Sequence, residues 1–327
     1  MMKTIEAATR ESGIREGAAL VGILTTFAFL LRDPALTAAC ARDGAALFLR
    51  AVLPATLPYM VLAGLLSSGG GLALVGRKLG FLRRCLWISE EGVGVFLMGL
   101  LSGFPVGAKM AAELYADGSI SREEAERLAA VCNFCGPPFL IAVVGAGLPG
   151  GKWSGLILWL LQTALAFLSG FLAGQRAKRR GLPLPDGRRA KRRKQGAFSL
   201  RFTSAVRSAC ESILLIFGFV LFFAVFSGIV SVIMESLGAP PLLAACLCGW
   251  LELSGGTAAL SALSTAPFLK CFLLGCFSVF SGFSVHMQVG AFLLPAGLSM
   301  KAYYRVRLLL APLAGVLLAI VCCSFFC

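Results

Sequence analysis

"LSGFPVGAKM" (residues 101–110) interrupts a strongly apolar region with Gly103, Pro105 and Gly107, and sets Lys109 one helical turn further on. Glycine loses the most backbone freedom on ordering, and proline lacks the N–H that a helix interior needs. The stretch therefore predicts two helical arms joined by an irregular turn. The apolar run before it, 93–101, is too short to cross a bilayer, which takes about 20 residues. The charged segment "DGSISREEAER" begins soon after, at Asp117. The pattern is that of a re-entrant hairpin over 91–118, which enters the membrane and returns to the side it came from.

Composition supports a membrane setting. Of 327 residues, 58% are hydrophobic and 14% charged, against about 25% charged in soluble domains. Nearly uncharged runs at 153–173, 212–233 and 308–326 have the length of spanning helices, and further spans are expected at 17–31 and 52–68. The fold class is an all-α polytopic membrane protein. Glu6, Glu11 and Glu16 are mixed into what would be the basic region of a signal peptide, so the first apolar run is expected to be a retained span.

The net charge of +14 is concentrated in residues 176–194, where ten Lys or Arg face one acid, Asp186. Such a run marks a cytoplasmic loop by the positive-inside rule. No aromatics interleave it as they would on a nucleic-acid surface, so the expected partner is the lipid bilayer and not nucleic acid. Most of the twelve cysteines lie inside apolar runs, where a thiol packs as a small hydrophobe, and no disulfide is expected. Cys132 and Cys135 have metal-site spacing but no second pair, and the single histidine, His286, is far away in the chain. No metal and no cofactor are expected.

Beyond the hairpin, "NFCGPP" (133–138) breaks an apolar helix midway, because two consecutive prolines cannot continue the helical ladder. After the basic loop the same order recurs: a span, a short apolar run with a glycine break ("CGWLELSGGTAAL", 248–260), a long interrupted segment ("FSVFSGFSVHMQVGAFLLPAGL", 277–298) and a last span. Residues 99–107 align with 249–257, setting Ser102 opposite Glu252. Each unit crosses the membrane an odd number of times, so the second is inverted relative to the first. The domains read as 1–50 (an N-terminal span and interfacial segment), 51–175 (first repeat), 176–200 (basic cytoplasmic loop) and 201–327 (second, inverted repeat). Lys301, Arg305 and Arg307 are expected on the cytoplasmic side.

Inverted repeats with discontinuous helices are typical of secondary transporters, whose sites lie where the helices break. A break exposes a half-helix N-terminus, whose free N–H groups and positive dipole end favour an anion. Such ends are expected near Val106, after Gly136, after Gly255 and near Ser284. The expected substrate contacts are Gly103, Pro105, Gly107, Lys109, Asn133, Gly136, Ser254, Gly255, Ser284 and Gln288, with Lys109 adding a full positive charge. Glu252 and His286 are expected to couple or gate, since a buried carboxylate and a residue that titrates near neutral pH both bind protons or ions. The sequence leaves open whether H+ or Na+ is the coupling ion, and whether the chain forms a homo-oligomer. No H-E-x-x-H, G-x-S-x-G or paired-aspartate motif is present, so an enzyme is not expected.

"GFPVGAK" (103–109), "ISREEAERL", "NFCGP" (133–137), "LELSGG" (251–256) and "GFSVHMQ" (282–288) together resemble the YlbJ-type sporulation integral membrane proteins of the nucleoside-recognition (Gate-domain) group. That group has relatives in segments of concentrative nucleoside transporters. The family usually carries small hydroxyl residues after the asparagine, where this chain has Phe134 and Cys135. The resemblance implies a nucleoside-transporter-like fold, a bacterial cell membrane or outer forespore membrane location, and a role in endospore formation, with dipicolinate as solute. A small anionic substrate agrees with Lys109. The alternatives are a nucleoside or nucleobase carrier, and a structural or regulatory membrane protein of spore assembly.

Overall fold

A computed structural model describes residues 20, 23, 24, 26–186 and 197–326. The described residues are helical, joined by short turns, with no strand among them. Residues 26–32, the end of the first expected span, are helical; the rest of that span lies largely outside the described residues, as does most of the basic loop. The next element, α1 (Pro34–Ser68), is an unbroken 35-residue rod. Residues 48–52 widen into a single π-turn without ending the helix. Asp33 starts the rod by accepting the Leu36 N–H at 2.9 Å, with Pro34 in the first turn, where its missing N–H costs nothing.

Two short helices, α2 (Gly71–Lys78) and α3 (Gly80–Leu86), turn the chain back, and α3 meets α4 (Glu90–Ser102) at 90°. Ser89 caps α4 through the Gly92 N–H at 3.0 Å, with Glu90 and Glu91 in the first turn, where acids complement the helix dipole. Gly103 ends α4 at φ 79, a left-handed conformation, and α5 (Val106–Ala116) packs back against it to complete the expected hairpin. The broken helix follows as α6 (Arg122–Val131) and α7 (Pro137–Gly147), and then α8 (Lys152–Arg179) spans.

The second half starts with α9 (Phe198–Ser236), 39 residues and so roughly 58 Å long. The hairpin α10 (Pro241–Leu251) and α11 (Leu253–Ala262) is pinned where Gly249 and Gly256 touch; a Cβ on Gly256 would lie 2.0 Å from the Gly249 Cα. Then come α12 (Pro267–Phe280) and α13 (Gly282–Leu293), broken at left-handed Ser281, and the last span α14 (Lys301–Phe326). Five helices, α1, α8, α9, the α12–α13 pair and α14, are long and apolar enough to cross a membrane, and the bent α3–α4 pair makes a sixth if counted as one span. This is an integral membrane protein.

Long-range contacts identify the two ends of the bundle. At one end Arg83 donates to Asp186 at 2.5 Å, the Trp87 indole donates to the Leu182 carbonyl, and Glu126 accepts the Ser299 N–H at 2.9 Å. At the other, Gly147 lies against Ser261 and Gly150 against Phe326. The α4–α5 hairpin opens toward the first end, which carries the basic loop; the α10–α11 hairpin opens toward the second. None of the eleven described cysteines is joined in a disulfide.

Candidate functional site

The four breaks converge. One narrow cleft, with a cavity volume of about 40 Å³, is lined by Ser102 and Phe104 from the first hairpin, Gly136 and Pro138 from the first broken helix, Glu252 and Ser254 from the second hairpin, and Val285 and Gln288 from α13. Thr56 of α1 and Ile216 and Val220 of α9 close its sides. Two polar atoms in this wall, Ser102 Oγ and Gln288 Oε1, are buried and make no hydrogen bond among the described residues. The two residues are 5% and 2% exposed. A buried polar group without a partner costs about 1–3 kcal/mol, which makes these atoms the natural contacts of a bound molecule.

Two of the four half-helix ends, those of α5 and α11, are not open anion sites, because side chains of the chain itself take their N–H groups. Asn133 Oδ1 accepts the Ala108 N–H of α5 at 2.8 Å, while its amide nitrogen donates to the Ala129 carbonyl at 2.7 Å. Asn133 therefore braces the first hairpin against α6, and it is absent from the cleft wall. Glu252, 4% exposed, is the N-cap of α11, its two oxygens accepting the Ser254 N–H at 3.0 Å and the Gly255 N–H at 2.6 Å. A carboxylate at a helix N-terminus is favoured by the dipole and the free N–H groups. Gly255 thus spends its N–H on Glu252.

Of the expected contacts, Gly136, Ser254, Gln288 and Glu252 line the cleft, and Gly103 and Pro105 flank the lining residues Ser102 and Phe104. Ser284 Oγ accepts from the Gln288 amide at 3.3 Å and orients it. Gly103 is required where it stands: beyond its positive φ, a Cβ there would sit 2.5 Å from the Gly136 nitrogen. Gly107 lies against Cys132 and Asn133, away from the cleft.

Two of the expected residues lie off the cleft wall. Lys109 points away from the cleft to α9, where its ammonium donates to Ser208 O at 2.9 Å, Ser208 Oγ at 2.8 Å and Ser212 Oγ at 2.7 Å, with Glu113 Oε1 3.9 Å away. His286 turns to α14: its Nδ1 is 3.0 Å from the Tyr303 hydroxyl, and Phe280, Phe283, Tyr303 and Tyr304 pack edge-on around its ring.

Arg307 is the residue that the charge pattern misplaced. It is 0% exposed, donates to the Asn133 carbonyl and, at 3.4 Å, to the Val279 carbonyl, and lies 3.9 Å over the Phe134 ring. It therefore satisfies carbonyls at the C-terminal ends of both broken helices, α6 and α12. The legible signal is its spacing: Tyr303, Arg307 and Ala311 share the buried face of α14, whereas Arg305 is exposed. No group of three or more His, Cys, Asp or Glu that could hold a metal occurs among the described residues.

Among curated proteins the chain is similar to one described as "Sporulation integral membrane protein YlbJ" of Bacillus subtilis (strain 168). The two are 27% identical over 326 residues, which cover 88% of this chain and 78% of that protein. No protein-family model and no solved structure matches the chain.

Proposed function

We propose that this integral membrane protein is a permease that carries a small solute across a membrane of a sporulating bacterial cell, with the cleft as its binding site, and that it acts as a carrier rather than an enzyme. The observation that supports this most is the convergence of four helix breaks on one cleft that holds two unpartnered buried polar atoms. Irregular backbone at membrane depth is tolerated where it is buried in protein or lines a cavity, and transporters place substrates at such breaks. The opposed openings of the two hairpins support reading 51–175 and 201–327 as an inverted repeat. The correspondence extends to detail: Gly103 meets Gly136 in the first half as Leu253 meets Gly282 in the second.

The similarity to a sporulation membrane protein supports the setting, and the outer forespore membrane is the location we favour. For the solute, we propose a small anion such as dipicolinate, admitted past Lys109 and held by the hydroxyls of Ser102 and Ser254. A neutral, nucleoside-like solute is the second reading, favoured by the absence of Lys or Arg from the cleft wall.

Uptake of labelled dipicolinate and of a labelled nucleoside into proteoliposomes under proton and sodium gradients tests both. Ser102→Ala should weaken apparent affinity for whichever solute moves about two- to tenfold, the worth of one buried hydrogen bond, and Gln288→Leu should do the same for the nucleoside, whose donors its Oε1 can accept. Movement of neither solute would overturn the carrier reading and favour a non-transport role in spore assembly.

A further inference from the structure

A second, polar cavity lies between α1, α5 and α9, sharing α1 and α9 with the cleft. It is lined by Gly64 and Ser67 of α1, Glu113 and Asp117 at the end of α5, and Arg201 and Ser208 of α9. Glu113, Asp117 and Ser204 are exposed, so this cavity is open to water at the end of the bundle that carries the basic loop.

All three walls run in the same order. On α9, Arg201, Ser204 and Ser208 face the vestibule, Ser212 comes one turn later, and Ile216 and Val220 face the cleft. On α1 the vestibule residue Gly64 and the cleft residue Thr56 are eight positions apart, about 12 Å, with buried Met60 midway. On α5 and the turn before it, Phe104 faces the cleft and Glu113 the vestibule. The side chain at the intermediate level is Lys109, clamped across to Ser208 and Ser212.

We propose that Lys109 is the gate between this vestibule and the cleft, and that a carboxylate solute opens it. This rests on the permease reading above. An ammonium has three donors, and Lys109 spends them on three neutral oxygens of α9. A bond between two ionised groups is stronger than one to a neutral oxygen, so an arriving carboxylate displaces the serines and frees α5 from α9. A neutral solute offers no such exchange. The rim acids Glu113 and Asp117 share the vestibule wall with Arg201, and Glu113 Oε1 stands 3.9 Å from the Lys109 ammonium, beyond hydrogen-bond reach.

The test is thiol labelling in inside-out vesicles, with a membrane-impermeant reagent added on the basic-loop side and labelled peptides resolved by mass spectrometry. Ser204→Cys reports the vestibule; Thr56→Cys and, as a near-isosteric second site, Ser102→Cys report the cleft. Buried Cys132 and Cys135 serve as internal controls for an intact fold. With Lys109 present, Ser204→Cys should react quickly and the cleft thiols about tenfold more slowly, the worth of one charged hydrogen bond. Lys109→Met should remove most of that difference. Dipicolinate should speed labelling of the cleft thiols when Lys109 is present and not in Lys109→Met, and uridine should have no effect.

Cleft thiols that react as fast as Ser204→Cys in the presence of Lys109, or that stay slow in Lys109→Met with Cys132 and Cys135 unlabelled, would overturn the gate. No acceleration by dipicolinate would overturn the carboxylate trigger. Because labelling requires no net transport, failure of the permease reading would appear separately, as a lack of uptake with the labelling pattern intact.

Discussion

Replacing Arg307 by alanine should be among the most damaging single changes in this chain. The guanidinium supplies donors to the carbonyls of Asn133 and Val279, the second through a long 3.4 Å contact. Each buried carbonyl left without a donor costs about 1–3 kcal/mol, and the second, weaker bond belongs at the low end of that range. Stacking over Phe134 at 3.9 Å and Tyr303 at 4.9 Å contributes about 2 kcal/mol more when desolvated. Against these stands relief from burying a charge, which is why removal of one member of a buried charged network nets about 3–5 kcal/mol rather than the full sum. Thermal unfolding in detergent, followed by tryptophan fluorescence, should show Arg307→Ala melting roughly 6–20 °C below the parent. Arg307→Met keeps the apolar stem but no donor and should recover less than half of the loss. Arg307→Ala melting within about 2 °C of the parent would refute the claim that this side chain ties the two breaks together.

Three further outcomes follow from the same geometry. Glu252→Gln retains one acceptor where two N–H groups converge, and should cost about 1–3 kcal/mol in the same melting assay; an unchanged melt would show that the cap is dispensable. Gly103→Ala combines a left-handed φ of 79 with a Cβ 2.5 Å from the Gly136 nitrogen. It should cost more than the roughly 1–2 kcal/mol of the backbone conformation alone, and a monodisperse protein at parental yield would refute this. Glu124 lies outside the spanning segments, and burial raises its carboxyl above its ordinary value despite the Ser89 N–H that it accepts at 2.6 Å. The folded chain therefore binds this proton more tightly than the unfolded one: the stabilisation is complete below the ordinary carboxylate range and is lost as pH rises through the folded value. Glu124→Gln should flatten that part of the stability–pH curve, and an unaltered slope would exclude Glu124 as its source.

The positions of the breaks were legible because their causes are local. Gly103, Pro105, Pro137 and Pro138 each disfavour continuing the helix that precedes them, and the run lengths between them set hairpin or span. The partners were not legible, because they come from distant parts of the chain. Lys109 is 99 residues from Ser208 and Asn133 is 25 from Ala108, and no periodicity encodes such pairings. One signal was present unread: Ser204, Ser208 and Ser212 recur every four residues on α9 and so share one face of the helix. Arg307 failed for the opposite reason, since counting charges near a helix end assigns Arg305 and Arg307 alike to the water side, whereas the helical face separates them.

The internal capping also narrows what the cleft can recognise. In a membrane interior each broken helix end must find partners within the protein, and here it does: Asn133 serves the start of α5, Glu252 the start of α11, and Arg307 the ends of α6 and α12. A solute entering the cleft thus meets, at the starts of α5 and α11, helix ends whose N–H groups already serve Asn133 and Glu252. What it meets unengaged is Ser102 Oγ, which can donate or accept, and Gln288 Oε1, which only accepts. Apolar Ile216, Val220 and Phe139 surround them. Such a wall suits a small, flat solute with an apolar ring and hydrogen-bonding groups at its edge. Within the cleft, recognition should then depend on where those groups sit around the ring more than on total charge, and discrimination by charge falls to Lys109 on the way in. Solutes that share a ring but differ in carboxylate number should accordingly differ more in their entry rate than in their affinity once bound, and rapid-mixing uptake against equilibrium binding separates the two; equal entry rates with unequal affinities would place charge selection in the cleft instead.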